Sequence, residues 1–99
     1  MPRQVTATAY DACVLCTGKT DGITRTGTEA RPFYTLAVDP DIVPLGSLVV
    51  IDEFPGIYRA EDTGGAIQGN RIDVFLPSHS EAVLFGQQPC TIRILTPIS

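Results

Sequence analysis

Short runs of β-type residues, separated by turns, dominate this chain. Gln4 to Tyr10 alternates, with Val5, Ala7 and Ala9 on one face and Thr6, Thr8 and Tyr10 on the other. Tyr34 to Val38 is an apolar run stopped by Asp39-Pro40. Leu48 to Asp52 predicts a strong strand, and Pro55-Gly56 a hairpin-type turn from which Ile57 to Glu61 returns. Ile72 to Leu76 and Thr91 to Leu95 predict two more strands, and Gly22 to Gly27 a short extended segment bounded by glycines. Asp11 to Thr20 reads as a loop, Val43-Pro44-Leu45-Gly46 as a turn, and Asp62 to Asn70 as a Gly-rich loop.

Helix-period patterns are scarce, and one helix is well signalled. Ser78-His79-Ser80-Glu81 has the form of a capping box. Ala82, Val83 and Phe85 supply an apolar face, and Gly86 is a natural terminator. His79 falls in the first, exposed turn, where a solvated side chain is the expectation. Six or seven short strands in one domain spanning residues 1–99 predict a closed barrel, because closure removes sheet edges.

Composition narrows the partners. A hydrophobic content of 43% and 18% charged residues describe a folded domain with a modest core. The net charge is −4 and no Lys/Arg cluster occurs, which argues against nucleic acid or an anionic membrane and leaves an uncharged polymer such as a glycan open. No stretch reaches the length of a membrane span. The start, Met1 to Val5, lacks the apolar region of a signal peptide, so either export does not use that route or the leader lies outside this sequence.

The cysteines are Cys13, Cys16 and Cys90, an odd number that argues against a purely disulfide-stapled fold. Cys13-Val14-Leu15-Cys16 is a CxxC; with Cys90 and His79 it nominally offers four zinc ligands. The alternative is a local disulfide or free thiols, with Cys90 buried before the last strand, and the residues favour it over a metal. A thioredoxin-like site is disfavoured because no helical pattern follows. Gly18-Lys19-Thr20 resembles the end of a phosphate loop, but Cys13 stands where that loop needs its first glycine, so a nucleotide site is rejected. No metal and no cofactor are expected.

Three aspartates carry the candidate chemistry. Asp39 ends one apolar run; Asp62 and Asp73 flank the Gly-rich loop. Asp is a poor strand former, so these residues either shape turns or act chemically. Gly64 and Gly65 allow positive φ or close approach of a ligand, and Gly69-Asn70 forms a second tight turn. A carboxyl in a groove rimmed by other carboxylates has a raised pKa and can serve as acid and then base on a glycosidic bond. That requires the strand ends bearing Asp39, Asp62 and Asp73 to converge. Thr24, Thr26 and Thr28 either line a groove with hydroxyls or reflect β-propensity, Tyr10 is either a sugar-stacking ring or core, and Lys19 is either a polar contact or solvated.

Several separate blocks resemble the bacterial 3D domain, named for three aspartates. They are Ala9-Tyr10 with Cys13 and Cys16, Gly18 to Thr24, Thr26-Gly27-Thr28, Ala37-Val38-Asp39-Pro40, Pro44 to Ser47, Glu61 to Ile67, and Arg71-Ile72-Asp73-Val74-Phe75. Their order and spacing agree from about Thr6 to Leu95. The resemblance implies a mainly all-β fold, a six-stranded double-psi β-barrel with one or two short helices, like the catalytic barrel of membrane-bound lytic transglycosylase A. It implies non-hydrolytic cleavage of the MurNAc–GlcNAc β-1,4 bond in peptidoglycan glycan strands, leaving 1,6-anhydroMurNAc ends. By position, Asp73 is then the acid/base, Asp62 sits beside it, and Asp39 completes the cluster by orienting the loop. Thr63, Gly64 and Gly65 line the subsite next to the cleaved bond, and Tyr10, Lys19 and Thr26 contact the glycan. It implies a cell-wall or extracellular location. A non-catalytic glycan-binding module is the competing expectation, since expansins use the same barrel. The short loop from Asp52 to Gly56 would permit strand exchange in a homodimer.

Overall fold

The computed structural model of the chain describes residues 2–11, 23–64 and 66–95. Six strands are present: β1 (Pro2–Tyr10), β2 (Thr35–Val38), β3 (Leu48–Ile51), β4 (Ile57–Asp62), β5 (Arg71–Phe75) and β6 (Gln88–Leu95). One helix, α1 (His79–Phe85), lies between β5 and β6. The strands close in the order β1-β5-β2-β4-β3-β6. Two pairs, β1 with β5 and β2 with β4, are parallel; the other pairings are antiparallel. This is the six-stranded double-psi β-barrel that the resemblance implies.

Alternation along each strand fills the interior. Val5 and Ala7 of β1, Leu36 and Val38 of β2, Val49 and Ile51 of β3, Tyr58 and Ala60 of β4, Ile72 and Val74 of β5, and Cys90 and Ile92 of β6 form one buried cluster. A barrel of six strands is narrow, so side chains occupy its axis and leave no room for a ligand there. A site on this fold must therefore lie on its outer face. That face carries a second buried cluster: Tyr10, Ala37, Ile67 and Phe75. The Tyr10 and Phe75 rings meet edge-on at 5.2 Å.

Most predicted elements fall within a residue or two of the observed bounds. The Gly22 to Gly27 segment differs. Its described part forms a turn with a single bridge, Ile23 to Glu29, and Gly27 takes a positive φ of 84°. The threonine hydroxyls here bond to one another, and no ladder forms. The last strand begins at Gln88, not Thr91, and so contains Cys90. Pro89 holds a ladder position opposite Thr6. Helix α1 starts as its capping box predicts, with Ser78 Oγ accepting from the Glu81 N–H at 3.2 Å. At seven residues it is too short to stand alone. Phe85 anchors it against Phe54, with ring centroids 5.5 Å apart. Among the described residues no helix is long and apolar enough to cross a membrane.

Candidate active site on the outer face

The ladder aligns the candidate residues in one row. Thr8 of β1 pairs with Asp73 of β5, Asp73 pairs with Ala37 of β2, and Ala37 pairs with Asp62 of β4. Directly opposed residues point to the same side of a sheet. Because Leu36 and Val38 face the core, Ala37 and its partners face outward. Asp62 and Asp73 thus flank a small residue, with no bulky side chain standing between them on β2.

A bulge modifies β4. Leu36 pairs with Ala60, but Ala37 pairs with Asp62, so Glu61 is the extra residue. The bulge turns Glu61 and Asp62 to the same outer side, which a regular strand forbids. Glu61 is only 4% exposed, and its carboxylate is satisfied there. Oε1 accepts from the Thr35 hydroxyl at 2.8 Å and Oε2 from the Thr28 hydroxyl at 3.0 Å. Thr28 in turn joins Thr24 at 2.7 Å and Thr26 at 3.0 Å. The Thr26 N–H donates to the Glu61 carbonyl at 3.0 Å, so this turn is stitched to β4.

Asp62, 7% exposed, is held by three donors. Its Oδ1 accepts from the Arg25 N–H at 3.0 Å and the Thr63 N–H at 2.9 Å; its Oδ2 accepts from the Tyr10 hydroxyl at 3.4 Å. Burial, the neighbouring charges of Asp62 and Asp73 and the bond to Asp62 push Tyr10 far above the ordinary phenol range. Tyr10 is therefore a permanent donor. Asp73 is half-buried. Desolvation pushes its carboxyl above the usual range, opposed by the Thr8 hydroxyl bond at 3.0 Å and by Arg71, with a further upward contribution from Asp62. Its arrangement is that of a group able to hold a proton and release it.

Asp39 has a different geometry. Its Oδ2 accepts from the Gly69 N–H at 2.7 Å and its Oδ1 from the Asp41 N–H at 3.0 Å. These backbone bonds, Gly69 first, hold its carboxyl below the usual range. Both oxygens are engaged by backbone N–H groups, one of them at the end of the Gly-rich loop. Gly69 itself has a φ of 70°, as the second tight turn requires.

The remaining candidates are placed as follows. Gly64 does not use positive φ; a Cβ there would stand 3.1 Å from Ile67 Cγ1, a tight contact that the Ile67 side chain would have to yield to by a few tenths of an ångström. The Ile67 N–H closes that turn on the Gly64 carbonyl at 2.9 Å. Thr63 is half-buried beside Asp62, and Thr26 is exposed at the turn. Lys19, Gly65, Cys13 and Cys16 lie outside the described residues. Cys90 is buried in the main core and burial pushes its thiol up, which describes an inert cysteine. His79 is exposed, with Nδ1 3.6 Å from Asp11 Oδ2. Among the described residues no three His, Cys, Asp or Glu side chains converge as a metal site.

Two contributors escaped the sequence reading. Thr8, which the alternation only places on a face, donates to Asp73, and Glu61, at a strand end, anchors the threonine turn. The signal for Glu61 was two adjacent acids at a strand end followed by Thr63-Gly64-Gly65, a pattern a bulge accommodates.

An outer-face carboxylate pair on a double-psi β-barrel defines the class of domain. The 3D domain family model matches residues 34–96. The chain belongs to the 3D domain family. It is 44% identical over 94 residues to the cell wall-binding protein YocH of Bacillus subtilis strain 168, covering 92% of this chain and 31% of YocH. Its fold is similar to that of MltA from Escherichia coli, with a TM-score of 0.64 at 21% identity over 77% of this chain and 28% of MltA. MltA has also been solved with bound chitohexaose. The expansin of Clavibacter michiganensis is similar over the whole chain and 52% of its own, with a TM-score of 0.64 at 18% identity. These structural likenesses establish the fold. The chain spans under a third of the length of YocH.

Proposed function

We propose that this domain is a lytic transglycosylase of peptidoglycan in the cell wall, with Asp73 as its acid/base. The observation that supports this most is the environment of Asp73, a carboxyl raised by desolvation on an open face beside Asp62. The likeness to MltA, a lytic transglycosylase of Escherichia coli, adds to it.

In this reading protonated Asp73 gives its proton to the glycosidic oxygen as the bond to muramyl C1 breaks. The resulting carboxylate takes the proton of the muramyl 6-hydroxyl as that oxygen bonds to C1. The products are a 1,6-anhydro end and a free 4-hydroxyl, and Asp73 regains its proton. No water enters, so a second carboxylate spaced for a hydrolytic water is not needed. Asp62, fixed by Arg25, Thr63 and Tyr10, adds to the raised pKa of Asp73 and presents oriented oxygens to the sugar. Asp39 sets the loop between them.

The test is mass spectrometry of soluble products from purified sacculi. Anhydromuropeptides from the wild type and none from folded Asp73→Asn support the reading; equal release from both overturns the role of Asp73.

A second reading is a non-catalytic glycan-binding module. The sequence identity with YocH, a cell wall-binding protein, and the likeness to an expansin favour it. It is distinguished by sedimentation with sacculi in the absence of any anhydro ends.

A further inference from the structure

Beside the aspartate row lies a cleft of about 310 Å³ lined by Thr28, Glu29, Arg31, Tyr34, Arg59 and Glu61. It shares Glu61 and Thr28 with the site just described. Arg59 faces the same outer side, because its neighbour Ala60 points into the core. Arg59 also pairs with Thr35, two residues before Ala37 on β2. From Arg59 to Asp62 the strand runs three steps, roughly 10 Å. That is about the length of one disaccharide.

The two cationic side chains of this cleft are unpaired among the described residues. Elsewhere Arg3 donates to Asn70 and Arg93 pairs with Asp52. Among the described residues, the Arg31 and Arg59 guanidinium groups have no hydrogen bond or ion pair. Glu61, the acid at the cleft floor, is already satisfied by Thr28 and Thr35. Two free guanidinium groups converging on one cleft form a recognition element for a carboxylate, which they can grip in bidentate fashion. In a chain of net charge −4 such a site is a local exception to the overall field.

We infer that the cleft bearing Arg31 and Arg59 binds a carboxylate of the peptide attached to the glycan, so that this domain reads peptide-substituted strands and not bare glycan. The inference rests on the glycan reading above and names a further subsite for it. The lactyl-linked peptide leaves the sugar ring away from the glycosidic bond, so a cleft displaced along β4 from Asp62 suits it. Glu29 rims the same cleft and opposes an anion there.

The test is binding, with the Asp73→Asn protein as background so that no strand is cut. The probes are purified glycan strands carrying their peptides and peptide-stripped strands whose lactyl carboxylates, left by the amidase, are capped as neutral amides. Peptide-bearing strands are expected to bind about tenfold more tightly, a preference that Arg31→Gln with Arg59→Gln abolishes and raised salt weakens. Glu29→Gln is expected to increase it. Binding to stripped strands stays unchanged in every variant, which also shows that each is folded. Equal binding of both probes, or a preference that survives loss of both arginines, overturns the cleft assignment and leaves the glycan reading standing. Failure to bind either probe overturns both.

Discussion

Asp62 and Asp73 stand on opposite sides of β2 and share one ladder partner, Ala37. Two strand spacings put their backbones roughly 10 Å apart, and the alanine between them packs in the buried cluster of Tyr10, Ile67 and Phe75. The pair is a product of topology. Its members are contributed by a parallel and an antiparallel neighbour of the same strand, and the β4 bulge sets the phase that turns Asp62 outward.

Asp73→Asn is expected to abolish anhydromuropeptide release and to stabilise the fold at neutral pH. The folded-state pKa of Asp73 is raised from its ordinary 3.8. Between the two values the folded chain binds more protons than the unfolded chain, so stability falls as pH rises through that window. Asparagine removes this loss. The gain is of order 1 kcal/mol or less, because the carboxyl is partly solvated. Thermal melts of both proteins at pH 7 and pH 4 check it: the gain appears at pH 7 and shrinks at pH 4. An Asn variant less stable than wild type at pH 7 contradicts it.

Thr8→Val removes the hydroxyl that donates to Asp73 Oδ1. That bond lowers the Asp73 pKa, so its loss raises it further. The expected result is an alkaline limb of the pH–rate profile shifted to higher pH, with sedimentation on sacculi at pH 7 unaltered. A limb that stays in place shows that the titrating group is not Asp73.

Glu61→Ala leaves the buried Thr35 hydroxyl without its acceptor and removes the side-chain tie from Thr28 to β4. Losing a buried partner of this kind costs about 1–3 kcal/mol. The turn carries the Arg25 N–H that fixes Asp62, so the loss is expected to extend to activity. A double-mutant cycle with Thr28→Val measures the coupling, about 1 kcal/mol if the two act as one unit. Strict additivity would show that the turn is held by other contacts.

The barrel was legible because alternation or a short apolar run marks each core strand, and the capping box and Gly86 mark the helix. The two flanking aspartates were visible as chemistry-bearing residues at strand ends. Their convergence was not, because it depends on strand order, and Ala37 says nothing in sequence about standing between them. Glu61 was obscured for a related reason: which side a residue faces is fixed by the bulge, a cross-strand property. Of the two readings of Gly64, positive φ or close approach of a ligand, the first does not hold, and its nearest neighbour is Ile67 of its own loop. The hydroxyl-linked threonine turn mimicked a strand because threonine favours both states.

Asp39 provides the contrast that separates positioning from chemistry. Its two oxygens accept from Gly69 and Asp41, and these bonds hold its carboxyl below the ordinary 3.8. A depressed folded-state pKa contributes stability that is present above 3.8 and lost as pH falls through the lower, folded value. Asp39→Asn keeps one acceptor oxygen, while Asp39→Ala keeps none. The Asn variant is therefore expected to retain activity within severalfold of wild type, where Asp73→Asn retains none. Its melting temperature should also fall less on acidification below pH 4 than that of the wild type, since the titrating group is gone. Asp39→Ala is expected to lower both activity and melting temperature at pH 7 by loosening the Gly69 turn. Complete loss of product with a folded Asp39→Asn protein would place Asp39 in the chemistry instead of the loop.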